Sequence, residues 1–128
     1  MATQPTSTQF ESTNFSRPHE TREFPKGQVE VITIGGVTFG RATFQPGWRW
    51  STHLKPIAGT NTCQMPHLGV QLSGTMHLEM DDGTERDIHP GEVVNIPAGH
   101  DGWVVGSEPV VFIDVIGMEN YARRDKAA

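Results

Sequence analysis

Through the middle of the chain, apolar residues come in short runs that alternate with polar ones and are cut by Gly or Pro. This pattern predicts strands over residues 29–34, 37–44, 48–54, 67–72, 75–80, 86–88, 93–96, 103–105 and 110–116. So many short strands at close spacing make a sandwich or a barrel. Asp81-Asp82-Gly83, between two alternating runs, predicts a hairpin turn, because Asp and Gly tolerate the backbone angles that tight turns demand. Alternation counted from Gly74 points Met76, Leu78 and Met80 inward and His77 and Glu79 outward. Between Gly27 and Gly117 no stretch free of Gly and Pro repeats its apolar residues at helical spacing, so no core helix is expected there. Residues 118–128 are the one segment that could be helical, and no internal repeat is present.

Residues 1–28 hold most of the Thr, Ser and Gln runs, with Phe10, Phe15 and Phe24 as their large apolar side chains. They read as a polar N-terminal arm, either a free tail or one docked by Phe15 and Phe24 onto the body or a second subunit. Residues 29–117 then form the barrel and 118–128 a C-terminal tail. Gly 14 and Pro 9 in 128 residues fit a single loop-rich domain. The formal charge of −5, without any basic stripe, argues against nucleic acid. No run approaches the ~20 apolar residues that span a bilayer, and the first residues lack a basic start before an apolar stretch. Cys63 is the single cysteine, which excludes an intrachain disulfide and suits a reducing, cytoplasmic setting.

Three stretches carry candidate chemistry: Gly47-Trp-Arg-Trp-Ser-Thr-His53-Leu-Lys55, His67-Leu-Gly-Val-Gln71-Leu-Ser-Gly74, and Pro90-Gly91-Glu-Val-Val-Asn-Ile-Pro97-Ala-Gly99-His100. They resemble the two motifs of the cupin superfamily. Its first motif runs Gly, five residues, His-x-His, a short gap, Glu, six residues, Gly; its second runs Gly, five residues, Pro-x-Gly, two residues, His, three residues, Asn. The resemblance covers residues 29–117 and implies an all-β, cupin-like double-stranded β-helix, a jelly-roll barrel. It also implies a small-molecule pocket, a divalent transition metal and a homodimer. The departures are as informative as the matches. His53 matches the first ligand His, but Lys55 stands at the second, an extra segment within residues 56–66 lengthens the gap, and His67 occupies the Glu position. In the second motif the expected His falls at Gly102, while His100 comes two residues early.

A metal site would therefore draw on His53, His67 and His100, three imidazoles from three strands, with positions left open to water or substrate. On a strand, His53 and Lys55 share one face. Beside a metal, Lys55 would turn away or bind an anionic substrate group; without one, it favours a neutral His53 that can act as general base. Gln71 at an inward position needs hydrogen-bond partners and is a candidate substrate contact. Asp114, in an apolar run, is a further candidate substrate contact that pairs with Lys55 or a histidine, or else faces solvent. Cys63 reads as a soft ligand, a reactive thiol or a structural residue. Strand parity sets Trp48 and Trp50 against His53, facing away from the pocket and toward a dimer contact.

The leading functional expectation is a small-molecule enzyme in which His53, His67 and His100 hold a divalent transition metal, with Gln71 and Lys55 orienting substrate. Two others stand beside it. One is a metal-free lyase, dehydratase or isomerase on a sugar- or nucleoside-like substrate, with His53 and Lys55 as the catalytic pair. The other is a non-catalytic small-molecule-binding module.

Overall fold

The computed structural model describes residues 8–124. Nine strands and two single-turn helices follow one another: β1 Glu20–Phe24, β2 Gly27–Ile34, β3 Val37–Phe44, α1 Trp50–His53, α2 Lys55–Ala58, β4 His67–Ser73, β5 Thr75–Met80, β6 Glu85–Ile88, β7 Val93–Ile96, β8 His100–Val105 and β9 Val110–Asp114. Every pairing is antiparallel. One sheet has six strands in the order β1-β2-β3-β9-β4-β7; the other has three, β6-β5-β8. The apolar faces of the two sheets enclose the core, the arrangement of a jelly-roll barrel.

Turn chemistry sets the registers. Gly35 and Gly36, with φ of 60° and 79°, join β2 to β3 in a two-residue turn whose positive angles match the twist of the strands. At the predicted hairpin, the Met80 N–H donates to the Thr84 carbonyl at 2.8 Å and the Thr84 N–H to Asp82 Oδ1 at 2.9 Å. Along β5, Met76 and Leu78 are buried as alternation requires. In β4, a bulge between Gln71 and Ser73 pushes Leu72 out, 53% exposed, and keeps Gln71 inside.

Residues 48–54 are not a strand. Arg49 is extended, and from Trp50 the chain makes two successive helical turns, with the Leu54 N–H on the Trp50 carbonyl and the Ala58 N–H on the Leu54 carbonyl, both 2.9 Å. Pro56 sits in the first turn of α2, where a missing N–H costs nothing, and Gly59 ends it at φ 76°. Trp50, Leu54 and Ala58, four residues apart, all face the core. The packing of that one face decides against the β-preference of Trp and Thr.

The polar arm contributes a strand. β1 pairs along its whole length with β2, and Phe24 packs on Phe44 and Trp48 with ring centroids 6.0 and 6.5 Å apart. Phe15 lies under the Arg41 guanidinium, whereas Phe10 is exposed. Beyond β9 the chain forms turns rather than a helix as far as residue 124, and Met118, Tyr121 and Ala122 are buried against the barrel. Arg22 of β1, 7% exposed, fastens this segment by donating to the carbonyls of Met118, Tyr121 and Glu119 at 2.8, 2.8 and 2.9 Å. Among the described residues no helix is long and apolar enough to cross a membrane.

Candidate metal centre and cavity

A cavity of about 50 Å³ lies between the sheets. Its wall is mostly apolar, built by residues such as Phe44, Met76, Ile88, Val110 and Phe112, with the two imidazoles His67 and His100 and the amide of Gln71. His67 and His100 line it, and with Cys63 beside them each offers one ligand atom, all within 4.8 Å of one another and all buried.

The backbone brings these three together. Cys63 exchanges hydrogen bonds with His100 across an isolated bridge, its N–H donating to the His100 carbonyl at 2.7 Å and its carbonyl accepting the His100 N–H at 3.2 Å. The Gly99 N–H adds a second donor to the Cys63 carbonyl at 2.7 Å. Four residues on, past Pro66, the chain enters β4 with His67, whose Nε2 lies 3.9 Å from Cys63 Sγ. The rings of His67 and His100 meet edge to face at 5.4 Å, and Tyr121 closes over His67 at 5.2 Å.

Each imidazole is oriented through its other nitrogen. His67 Nδ1 donates to Asp114 Oδ2 at 2.5 Å, and His100 Nδ1 donates to the Pro97 carbonyl at 2.8 Å. Asp114 Oδ1 in turn accepts the N–H groups of Ile116 and Gly117 at 2.9 and 3.0 Å. Burial alone would raise the Asp114 pKa; the His67 bond and charge, with those backbone donors, outweigh it and hold the carboxyl below its ordinary value. Burial, helped by the neighbouring His67, depresses His100 to about 4, which leaves a neutral imidazole at neutral pH. Burial also pushes the Cys63 thiol up to about 12. A divalent ion would lose little to competing protons at His100 and would have to displace the one on Cys63. Two imidazole nitrogens fixed from behind, plus a thiol, fit a transition metal, with carboxylate-to-histidine support of the kind that orients metal ligands.

His53 does not join this group. It ends α1, its Nδ1 accepts the Arg49 N–H at 3.0 Å, and it is absent from the cavity wall, as is Lys55, half-buried at the start of α2. The shared strand face that made them a pair does not exist, because the segment is helical. Asp114 is fully buried and engaged with His67, so it positions that ring rather than lining the cavity. Gln71 does line it, but both hydrogens of its amide are used, on the Gly74 and Ile88 carbonyls at 2.8 Å each, and its Oε1 is the group it has left to offer. His77 is half-buried on the outer face, between Asp87 at 2.6 Å and Glu85 at 2.7 Å.

Cys63 is the residue that the sequence under-rated. Its signal is the step of four residues to His67, past Pro66 and into the start of β4. Trp48 and Trp50 also reverse their expected direction. Both are buried, at 3% and 1% exposure, and both line the cavity; for Trp50 the reason is the helical turn that begins there. Their Nε1 atoms have no hydrogen-bond partner. A buried donor left unmet costs about 1–3 kcal/mol.

Solved structures share this architecture. A cupin-like protein from Thermotoga maritima superposes with a TM-score of 0.51 at 15% identity, over 77% of this chain and 74% of the other. KdgF from Halomonas gives 0.55 at 16% identity over 80% and 91%. The polyketide cyclase RemF from Streptomyces resistomycificus gives 0.55 at 14% identity over 84% and 80%. No protein-family profile matches the sequence, and no curated protein does. At such identities the likeness shows the fold alone, and with the two-sheet topology it makes the chain an all-β barrel with a cupin-like jelly-roll fold.

Proposed function

We propose that the chain is a small-molecule enzyme whose cavity binds a divalent transition metal through Cys63, His67 and His100. The observation that carries this reading is the convergence of one buried thiol and two imidazole nitrogens within 4.8 Å of one another, the two imidazoles lining the cavity between the sheets. Three protein ligands are the number that leaves a coordination position for water or substrate. Bound there, the ion would supply Lewis-acid chemistry, polarising a substrate oxygen or lowering the pKa of water.

The rest is the work of the chain's own groups. Asp114 and the Pro97 carbonyl hold the two rings so that one nitrogen of each is left for binding. The apolar wall excludes bulk water, which strengthens every polar contact made inside. Met118 and Tyr121, fastened by Arg22, cover the site. Elemental analysis of protein purified without a metal-affinity column tests the proposal: about one equivalent of a transition metal is expected, and its loss in His67→Ala and in His100→Ala.

A further inference from the structure

Gln71 places one unmet acceptor inside this barrel. Both hydrogens of its amide go to backbone carbonyls, of Gly74 and Ile88 at 2.8 Å each, so the amide cannot be turned over and its Oε1 is the end left to bond. Among the described residues no group donates to that oxygen, yet it is not sealed in: the unpartnered side-chain atoms shut off from all free space are Trp48 Nε1 and Trp50 Nε1. Gln71 is 1% exposed and lies on the cavity wall, so the space that Oε1 retains is the cavity. The backbone holds the residue there too, its N–H on the Glu92 carbonyl at 3.1 Å and its carbonyl accepting the Gly91 N–H at 2.7 Å. Folded proteins meet nearly all buried amide oxygens, and this one is a fixed acceptor facing a hollow.

The wall narrows what can meet it. An amide oxygen accepts and cannot donate, so the partner must bring an O–H or N–H, which a hydrocarbon, an ether or a ketone lacks. Among the described residues no Asp or Glu lines the cavity, so an ammonium donor would enter an apolar space without a counter-charge, a costly transfer. Phe44, Met76, Val110 and Phe112 offer an apolar bed, and about 50 Å³ admits a compact group, of which a hydroxyl is the smallest uncharged donor. His67 and Gln71 stand four residues apart on one face of β4, about 13 Å along the strand, so this acceptor is a polar point separate from the metal centre. We infer that Gln71 is a substrate-recognition residue, its Oε1 accepting a hydrogen bond from the hydroxyl of a small, uncharged and otherwise apolar substrate. The inference rests on the proposed function for the cavity being a substrate pocket, but it does not require the metal.

The test uses the full chain, stripped of metal with a chelator, labelled with carbon-13 and nitrogen-15 and assigned through its backbone, so that the Gln71 side-chain carbonyl is followed without any substitution. Propan-2-ol is the probe, acetone its counterpart of like shape without a donor, and the isopropylammonium ion its charged counterpart. Affinities are read from the methyl signals of Met76 and Val110 on the cavity wall. A saturable downfield shift of the Gln71 carbonyl carbon with propan-2-ol, and about fivefold weaker binding of acetone, are expected. Gln71→Met, which keeps the length and removes the oxygen, should bring the two affinities together; if that variant does not fold, the parent's shifts and affinity ratio decide alone. A static Gln71 carbonyl signal, or acetone binding the parent as tightly as the alcohol, overturns the inference and leaves the oxygen to water. Isopropylammonium binding as tightly as the alcohol overturns the choice of an uncharged donor. Because the metal is absent throughout, failure here leaves the Cys63–His67–His100 proposal standing, and a failed metal analysis leaves this result intact.

Discussion

Asp114, on β9, accepts the Nδ1 proton of His67, on β4, at 2.5 Å, so the two neighbouring strands together aim the opposite ring nitrogen at Cys63. Asp114 also ends β9 by capping Ile116 and Gly117, and one carboxylate thus ties the chain's turn to the ring's direction. Asp114→Asn should keep most of the turn and weaken metal binding about 10–100-fold in a competition titration. Asp114→Ala should in addition lose about 3 kcal/mol of stability, read from the denaturant midpoint. Unchanged metal affinity in Asp114→Asn would show that the ring needs no such support.

His100 ties stability to acid. Its pKa is about 4 in the folded barrel against an ordinary 6.5, so the unfolded chain binds the proton first as pH falls. Stability of the metal-free protein should therefore drop between pH 6.5 and 4, by about 3 kcal/mol at the lower end. His100→Gln should flatten that part of the profile. An equally steep fall in the variant would move the cause elsewhere.

His77 acts with the opposite sign. Its bond to Asp87, with a further one to Glu85, outweighs the effect of burial and raises its pKa above 6.5. The clamp's contribution is then complete below pH 6.5 and disappears as pH rises through the raised value. Comparing melting temperatures of the parent and His77→Gln across pH 5–9 checks this, with the gap expected to close toward the alkaline end.

Arg22 reaches from β1 to three carbonyls of the segment that bears Tyr121. Arg22→Ala leaves those carbonyls without their donor and should cost about 3 kcal/mol. The same change should speed alkylation of Cys63 by iodoacetamide in the metal-free protein under native conditions. A destabilised variant with unchanged alkylation would mean that the segment is not the cover of the site.

Local periodicity made the barrel legible. The β3, β5 and β7 bounds coincide with apolar runs cut by Gly or Pro, and the hairpin turn at residues 81–83 follows from its own side chains. The segment after Gly47 misled because its helical signal is the four-residue spacing of Trp50, Leu54 and Ala58, which spans a proline and two short turns. That one error moved His53 and Lys55 off the cavity and turned Trp50 onto it. His67 stands at the motif's Glu position and His100 two residues before its His position. Cys63 joins them through a bridge to a residue 37 positions away, a contact that no local pattern encodes.

The central claim is that Cys63, His67 and His100 form one metal centre, and cobalt(II) tests it most directly. The protein, stripped of metal and titrated with cobalt(II), should develop visible ligand-field bands and a near-ultraviolet thiolate-to-cobalt charge-transfer band that saturate together at about one equivalent. In Cys63→Ser the charge-transfer band alone should vanish, and in His67→Ala both sets should weaken at the same cobalt concentration. Saturable binding whose spectrum is untouched by Cys63→Ser, or no binding by a protein that remains folded, would contradict the account.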